Sequence, residues 1–76
     1  MSLVNITLLS TDGCHLCELA KEQLLQLEIA FITRDIIDDA ELVARYGTTI
    51  PVIARADGAE LNWPFDIGQL EIFLEV

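Results

Sequence analysis

The pattern of hydrophobic and polar residues changes regularly along this chain of 76 residues. Residues 3–9, LVNITLL, form a short apolar run that is typical of a buried strand. Thr11-Asp12-Gly13 interrupts this run. From His15 to about Leu27, apolar residues recur at steps of four, four and three, which predicts an amphipathic helix. The apolar stripe of that helix consists of Leu16, Ala20, Leu24 and Leu27.

A strand and a second helix follow. Residues 29–33 predict the strand, and DDAELVARYG predicts the helix. Asp38 is expected to cap the start of this helix, with Glu41 three residues later as its capping-box partner. Gly47 is the expected stop.

The last third of the chain predicts two strands and a third helix. The segment TTIPVIARADGAELNW indicates strand, turn and strand, with Asp57-Gly58 as a two-residue hairpin turn. The helix DIGQLEIFLEV begins at the cap Asp66, with Gln69 as its partner. Its expected buried face consists of Ile67, Leu70, Phe73 and Leu74.

This order of elements predicts the class α/β and a single domain over residues 1–76. The first two strands should be parallel because a helix connects them through a right-handed crossover. The last two strands should form an antiparallel hairpin. A four-stranded mixed sheet with helices on its faces accommodates all seven elements.

Composition narrows the classes of partner. Hydrophobic residues make up 53% of the chain, which indicates a folded domain. The net charge of −9, from 13 acidic and 4 basic residues, argues against nucleic acid and anionic membranes as partners. A basic protein partner is compatible with this charge, which is more often a solubility device. No targeting or membrane-spanning pattern is visible, so we expect a cytoplasmic protein.

The only two cysteines, Cys14 and Cys17, lie where the first strand gives way to the first helix. Free amides of the first helical turn and the helix dipole stabilise a thiolate at this place. We therefore expect Cys14 to be the attacking nucleophile. Cys17, one turn further on the same face, should be the resolving thiol.

Other readings of the pair remain open. Two cysteines can simply be small buried apolar residues, and the domain can be a non-catalytic interaction module. A closed zinc site needs four ligands, whereas Cys14, Cys17 and His15 supply three at most, so we assign no metal ligands within one chain. A metal or iron–sulfur site shared by two chains is the remaining metal alternative.

Four segments together resemble the glutaredoxins, and most of all the small glutaredoxin-like branch of the thioredoxin fold. They are GCHLC, DAELVARYGTTIPV, the DG turn and WPFD, and the resemblance spans nearly the whole chain. It implies a thioredoxin-like βαβαββα fold and a thiol–disulfide oxidoreductase. The expected partners are a protein or low-molecular-weight disulfide and a cellular thiol reductant, and we expect a monomer.

The resemblance also implies where a substrate binds. Thr49, Ile50 and Pro51 should face the redox pair, with a cis Ile50–Pro51 bond and an extended substrate chain pairing with the backbone of Ile50. Trp63 is expected in a loop near the pair, where it can line a groove or pack on the core. Protonated His15 can support the Cys14 thiolate, although an exposed histidine at a helix start is an equal alternative.

Three positions depart from the family pattern. Thr11 stands where glutaredoxins usually have a lysine for a glutathione carboxylate, and NWPF replaces their Gly-Gly pair. Two glutathione-binding features are therefore missing, so we expect no required cofactor and regard glutathione as a doubtful ligand. Leu8 stands where thioredoxins have a buried aspartate that accepts the proton of the resolving thiol.

Overall fold

The computed structural model describes residues 6–74. Within that range the elements follow the predicted order βαβαββα, with one 3-10 turn at Ile36–Asp38 between β2 and α2. The strands are β1 (Ile6–Ser10), β2 (Ile32–Asp35), β3 (Val52–Arg55) and β4 (Glu60–Asn62). The helices are α1 (His15–Gln26), α2 (Ala40–Tyr46) and α3 (Ile67–Leu74).

The four strands form one mixed sheet in the order β2-β1-β3-β4. β1 and β2 are parallel, with Leu8 opposite Thr33. β3 is antiparallel to both β1 and β4, with Leu8 opposite Ile53. The carboxyl ends of β1 and β2 and the amino end of β3 therefore lie at one edge of the sheet, which we refer to as the site edge. This architecture confirms the predicted fold.

Neighbouring residues of β1 face opposite sides of the sheet and supply two separate cores. Leu8 belongs to a cluster that includes residues of α1 and α3, and Leu9 belongs to one that includes a residue of α2. Each fully enclosed leucine or isoleucine contributes about 1.5–3 kcal/mol through burial. The buried members of the first cluster are Leu8, Ala20, Leu24, Ile53, Phe65 and Leu70, and those of the second are Leu9, Ile36, Tyr46 and Val52.

The first half of the chain departs from the predictions in two places. Leu16 is 41% exposed, and Cys17 takes its expected place on the buried face of α1. β2 begins at Ile32 rather than Ile29 because α1 ends in a Schellman-type turn. In that turn Glu28 has a φ of 58°, and the Ile29 amide donates to the Leu24 carbonyl at 3.2 Å. Residues 3–5 of the predicted first strand lie outside the described residues.

The start of α2 is also one residue later than predicted. Asp39, not Asp38, is the N-cap, and its carboxylate accepts a hydrogen bond from the Glu41 amide at 2.9 Å. Asp38 lies in the 3-10 turn instead. Gly47 does end the helix, but with a φ of −55°, so a left-handed conformation is not the reason for glycine there. The amide of Gly47 donates to the Val43 carbonyl, and a Cβ at Gly47 would lie 2.6 Å from that oxygen.

The hairpin and α3 complete the comparison. Ala54 pairs with Glu60, and the Arg55 amide donates to the Ala59 carbonyl at 2.9 Å, so three residues, 56–58, form the loop instead of the predicted two. The capping box of α3 is confirmed: Asp66 accepts from the Gln69 amide at 2.8 Å, and Gln69 accepts from the Asp66 amide at 3.0 Å. Residues 75–76 of that predicted helix lie outside the described range.

None of the helices in the described residues has both the length and the apolar character needed to cross a bilayer.

Candidate active site

Cys14 occupies the N-cap position of α1. β1 ends at Ser10, and the turn that follows includes Gly13 with a φ of 77°, which places Cys14 in an extended conformation directly before the helix. Its Sγ accepts a hydrogen bond from the Cys17 amide at 3.2 Å. The sulfur thus takes the place of the oxygen of an ordinary N-cap side chain. Amide donors at this position favour a thiolate over a thiol.

Cys17 lies beside Cys14 but is shielded from solvent. Its residue is only 5% exposed, whereas Cys14 is half-buried. The two Cα atoms are 5.2 Å apart and the sulfur atoms are at disulfide distance. A reagent in solution therefore reaches the Cys14 sulfur more readily than that of Cys17. This asymmetry fits an outer sulfur that attacks and an inner one that resolves.

Thr49, Ile50 and Pro51 lead into β3 at the site edge, the same edge at which Cys14 follows β1. The Ile50–Pro51 peptide bond is cis. The amides of Thr49 and Ile50 both donate to the Tyr46 carbonyl, at 3.0 and 3.1 Å. A substrate strand at this position would therefore meet an Ile50 amide that already has a partner, and the predicted pairing would depend on the Ile50 carbonyl.

Trp63 follows β4 where Asn62 pairs with Val52, which also places it at the site edge. Its ring meets that of Phe65 edge to face, with centroids 5.0 Å apart. Phe65 is buried in the first core cluster, and Trp63 packs against that cluster while staying half-buried. Phe65 is therefore a core residue. Trp63 combines a packing role with an exposed surface at the site edge.

A cleft of about 260 Å³ opens beside the cysteine pair, between α1 and the ends of β1 and β2. Both cysteines line it. His15, the first residue of α1, is exposed and does not line it. The other lining residues are Leu8, Ser10, Thr11, Asp12, Gly13, Glu18, Lys21, Thr33 and Asp35.

Sequence reasoning missed the role of β2 in this cleft. Thr33 and Asp35 come from that strand, and the Asp35 carboxylate also accepts a hydrogen bond from the Ile37 amide at 3.0 Å. A signal for them was present, because the ends of two adjacent parallel strands share one edge of a sheet. The predicted strand 29–33 ended too early for Asp35 to be included.

Among the residues that the structure describes, no three His, Cys, Asp or Glu side chains are grouped in a way that could hold a metal ion.

Two kinds of comparison relate this chain to known proteins. The profile of the Glutaredoxin-like domain family (DUF836) matches residues 5–75. The X-ray structure of protein XcR50 from X. campestris is 44% identical, with a TM-score of 0.87 over 92% of this chain and 95% of that one. The solution structure of the same target is 42% identical, with a TM-score of 0.86 over 95% and 94%.

A more distant structure shares the fold alone. The crystal structure of the thioredoxin-like protein BC3987 is 24% identical, with a TM-score of 0.67 over 88% of this chain and 96% of that one. No curated protein sequence matches the chain.

Proposed function

The chain belongs to the glutaredoxin-like domain family, and from this premise we propose that it is a thiol–disulfide oxidoreductase. The observation that supports this most strongly is the hydrogen bond from the Cys17 amide to the Cys14 sulfur at the start of α1. A structural pair of cysteines has no need of such a donor. A nucleophilic sulfur gains from it because the donor stabilises the reactive thiolate.

The reaction proceeds in two exchanges. The Cys14 thiolate attacks one sulfur of the substrate disulfide, the substrate S–S bond breaks, and the other substrate sulfur leaves as a thiolate. Cys17 then loses its proton and attacks the Cys14 sulfur of the mixed disulfide. The second substrate thiolate leaves, and the Cys14–Cys17 disulfide retains the oxidation. Two electrons pass to the substrate, and a cellular thiol reductant returns the protein to its dithiol state.

The cleft gives Cys17 a route for its proton. Leu8, which is 1% exposed, offers no base at the position where thioredoxins have an aspartate. Cys17 lines the cleft together with Ser10 and Asp35, however, so water and a carboxylate have access to this side of the pair. We propose that the proton of Cys17 leaves through this cleft when the mixed disulfide is resolved.

Glutathione fits these residues poorly. Thr11 and the exposed Asp12 line the cleft before the pair, where a carboxylate of glutathione would require a cation. At the other position, the half-buried Trp63 lies against Phe65 and fills space that a Gly-Gly pair would leave free. We therefore route no step through glutathione and propose a protein or small disulfide as the substrate.

A matched pair of variants tests the proposed function. Reduced Cys17→Ser should form a stable mixed disulfide with a chromogenic aromatic disulfide, detected as a mass increase of one substrate half. Cys14→Ser should react far more slowly, because its remaining sulfur is buried. The unaltered protein should release both substrate thiols and end as the internal disulfide. Equal reactivity of the two variants, or no reaction of either, would refute the proposal.

A further inference from the structure

The cleft beside the redox pair carries a net negative charge. Asp12, Glu18 and Asp35 line it, and these side chains are ionised at neutral pH. Lys21 is the only cation among the lining residues. It lies seven residues after Cys14, about 10 Å further along the helix axis at 1.5 Å per residue. Asp12 and Glu18 are closer to Cys14 in the chain, so the charge nearest the outer sulfur is negative.

The other basic residues of the chain, all within the described range, do not line the cleft. Arg34 alternates with Thr33 and Asp35 along β2, faces the opposite side of the sheet and pairs with Asp39 at 3.5 Å. Arg45 on α2 lies over the Tyr46 ring, 5.1 Å from its centroid.

Arg55 is at the far end of β3, where it pairs with Asp57 and donates to the Phe73 carbonyl at 2.8 Å. None of these three cations therefore compensates the carboxylates beside the pair.

We propose that this cleft selects disulfides whose flanking residues are lysine or arginine, so that the substrates are basic polypeptides. The inference rests on the proposed function, and it adds the class of substrate. A cationic side chain next to the substrate cysteine would enter the cleft beside Asp12 and Glu18 while Cys14 attacks. Glutathione disulfide, in which carboxylates outnumber ammonium groups, would be repelled by the same charges.

Electrostatic physics sets the expected size of the preference. Charges of one sign that line a cleft raise the association rate of oppositely charged ligands by about tenfold or more at low ionic strength. A single carboxylate about 7 Å from a ligand charge changes the rate by about threefold in a solvent-like dielectric. Salt screens such exposed charges, so the preference should shrink as ionic strength rises.

The experiment uses three disulfide peptides that differ only in the two residues flanking the cysteine: lysine, glutamine or glutamate. The reduced protein is mixed with each peptide at low and at high salt, and the rate of disulfide reduction is measured. We expect the lysine peptide to react about tenfold faster than the glutamate peptide at low salt. The glutamine peptide should be intermediate, and the three rates should converge at high salt.

Three variants separate the cleft from the overall charge of the protein. Glu18→Gln should lower the ratio of lysine-peptide to glutamate-peptide rates by about threefold or more. Lys21→Gln should raise this ratio, a change of opposite sign that a distorted helix would not produce. Glu28→Gln is the control: it makes the same chemical change after the far end of α1, where Glu28 is exposed and does not line the cleft, and it should leave the ratio nearly unchanged.

Two outcomes would overturn these proposals, and they are distinguishable. If all three peptides are reduced at the same rate at low salt, or if Glu28→Gln lowers the ratio as much as Glu18→Gln, the inference about the cleft is wrong and the oxidoreductase proposal stands. If the protein reduces none of the peptides, the proposed function fails and the substrate class fails with it.

Discussion

Two adjacent leucines of α1 offer a direct test of how this helix is held on the sheet. Leu24 is completely buried against the first core cluster, whereas Leu25, the next residue, is 58% exposed. Replacement of either by alanine removes the same atoms and changes helix propensity by the same amount. The difference in stability between the two variants therefore measures burial alone.

The structure gives the magnitudes. A fully enclosed leucine replaced by alanine loses about 2–5 kcal/mol, since it forfeits both transfer free energy and contacts around the new cavity. Leu25 has less than half of its surface away from water, so the same replacement should remove about 1 kcal/mol or less. A 76-residue domain has a total stability of about 4–11 kcal/mol. Leu24→Ala should therefore remove a large fraction of the stability, and Leu25→Ala a small one.

Urea unfolding followed by the fluorescence of the single tryptophan, Trp63, and by helical circular dichroism measures both variants. We expect the midpoint of Leu24→Ala to fall well below that of Leu25→Ala, with similar slopes. Equal midpoints, or a larger loss for Leu25→Ala, would show that α1 does not lie on the sheet with the face described here.

Three further predictions concern the rest of the fold. Gly47→Ala should destabilise the protein by about 1–3 kcal/mol in thermal unfolding, because the new Cβ would lie 2.6 Å from the Val43 carbonyl oxygen; an unchanged midpoint would contradict this. Asp66→Ala should cost about 1 kcal/mol through loss of the α3 cap, and Asp66→Asn should recover most of it, whereas equal losses would implicate the charge instead. The hydrogen bond to Glu60, together with burial, raises the pKa of Tyr46 above its usual 10.0. The folded state therefore holds the phenolic proton more tightly, so the stability advantage over Tyr46→Phe should be complete below pH 10 and shrink at higher pH; a constant difference in alkaline urea titrations would refute this.

Local signals predicted the order and type of the elements because each agrees with the tertiary structure. The capping box of Asp66 and Gln69 is an example: two side chains and two amides satisfy one another within a single turn, so no distant contact is needed to establish it. The placement of Cys14 before α1 is equally local.

Other features depend on contacts that periodicity does not contain. Leu16 fits the apolar stripe of α1 by spacing, yet Cys17 occupies the buried position, since the sheet contacts a face rotated by one residue. Glu28 adopts a left-handed conformation that favours glycine, and no sequence signal marks it. Gly47 was identified correctly as the end of α2, but the reason is its close approach to Val43 rather than its φ.

For the candidate site, the sequence predicted the two cysteines and the segment 49–51, whereas the acidic cleft became visible only in three dimensions. Asp12 and Glu18 are close to the pair in sequence, but Asp35 comes from a neighbouring strand. Which charges surround a cysteine depends on strand order, which a single sequence does not specify.

The central claim is that the first-turn amides of α1 stabilise the thiolate of Cys14. The most direct test is the rate of alkylation of the Cys17→Ser variant as a function of pH, since this variant has one thiol and retains the backbone amide at position 17. We predict an apparent pKa for Cys14 clearly below the value of about 8.5 for a free cysteine. An apparent pKa at or above that value would contradict the account.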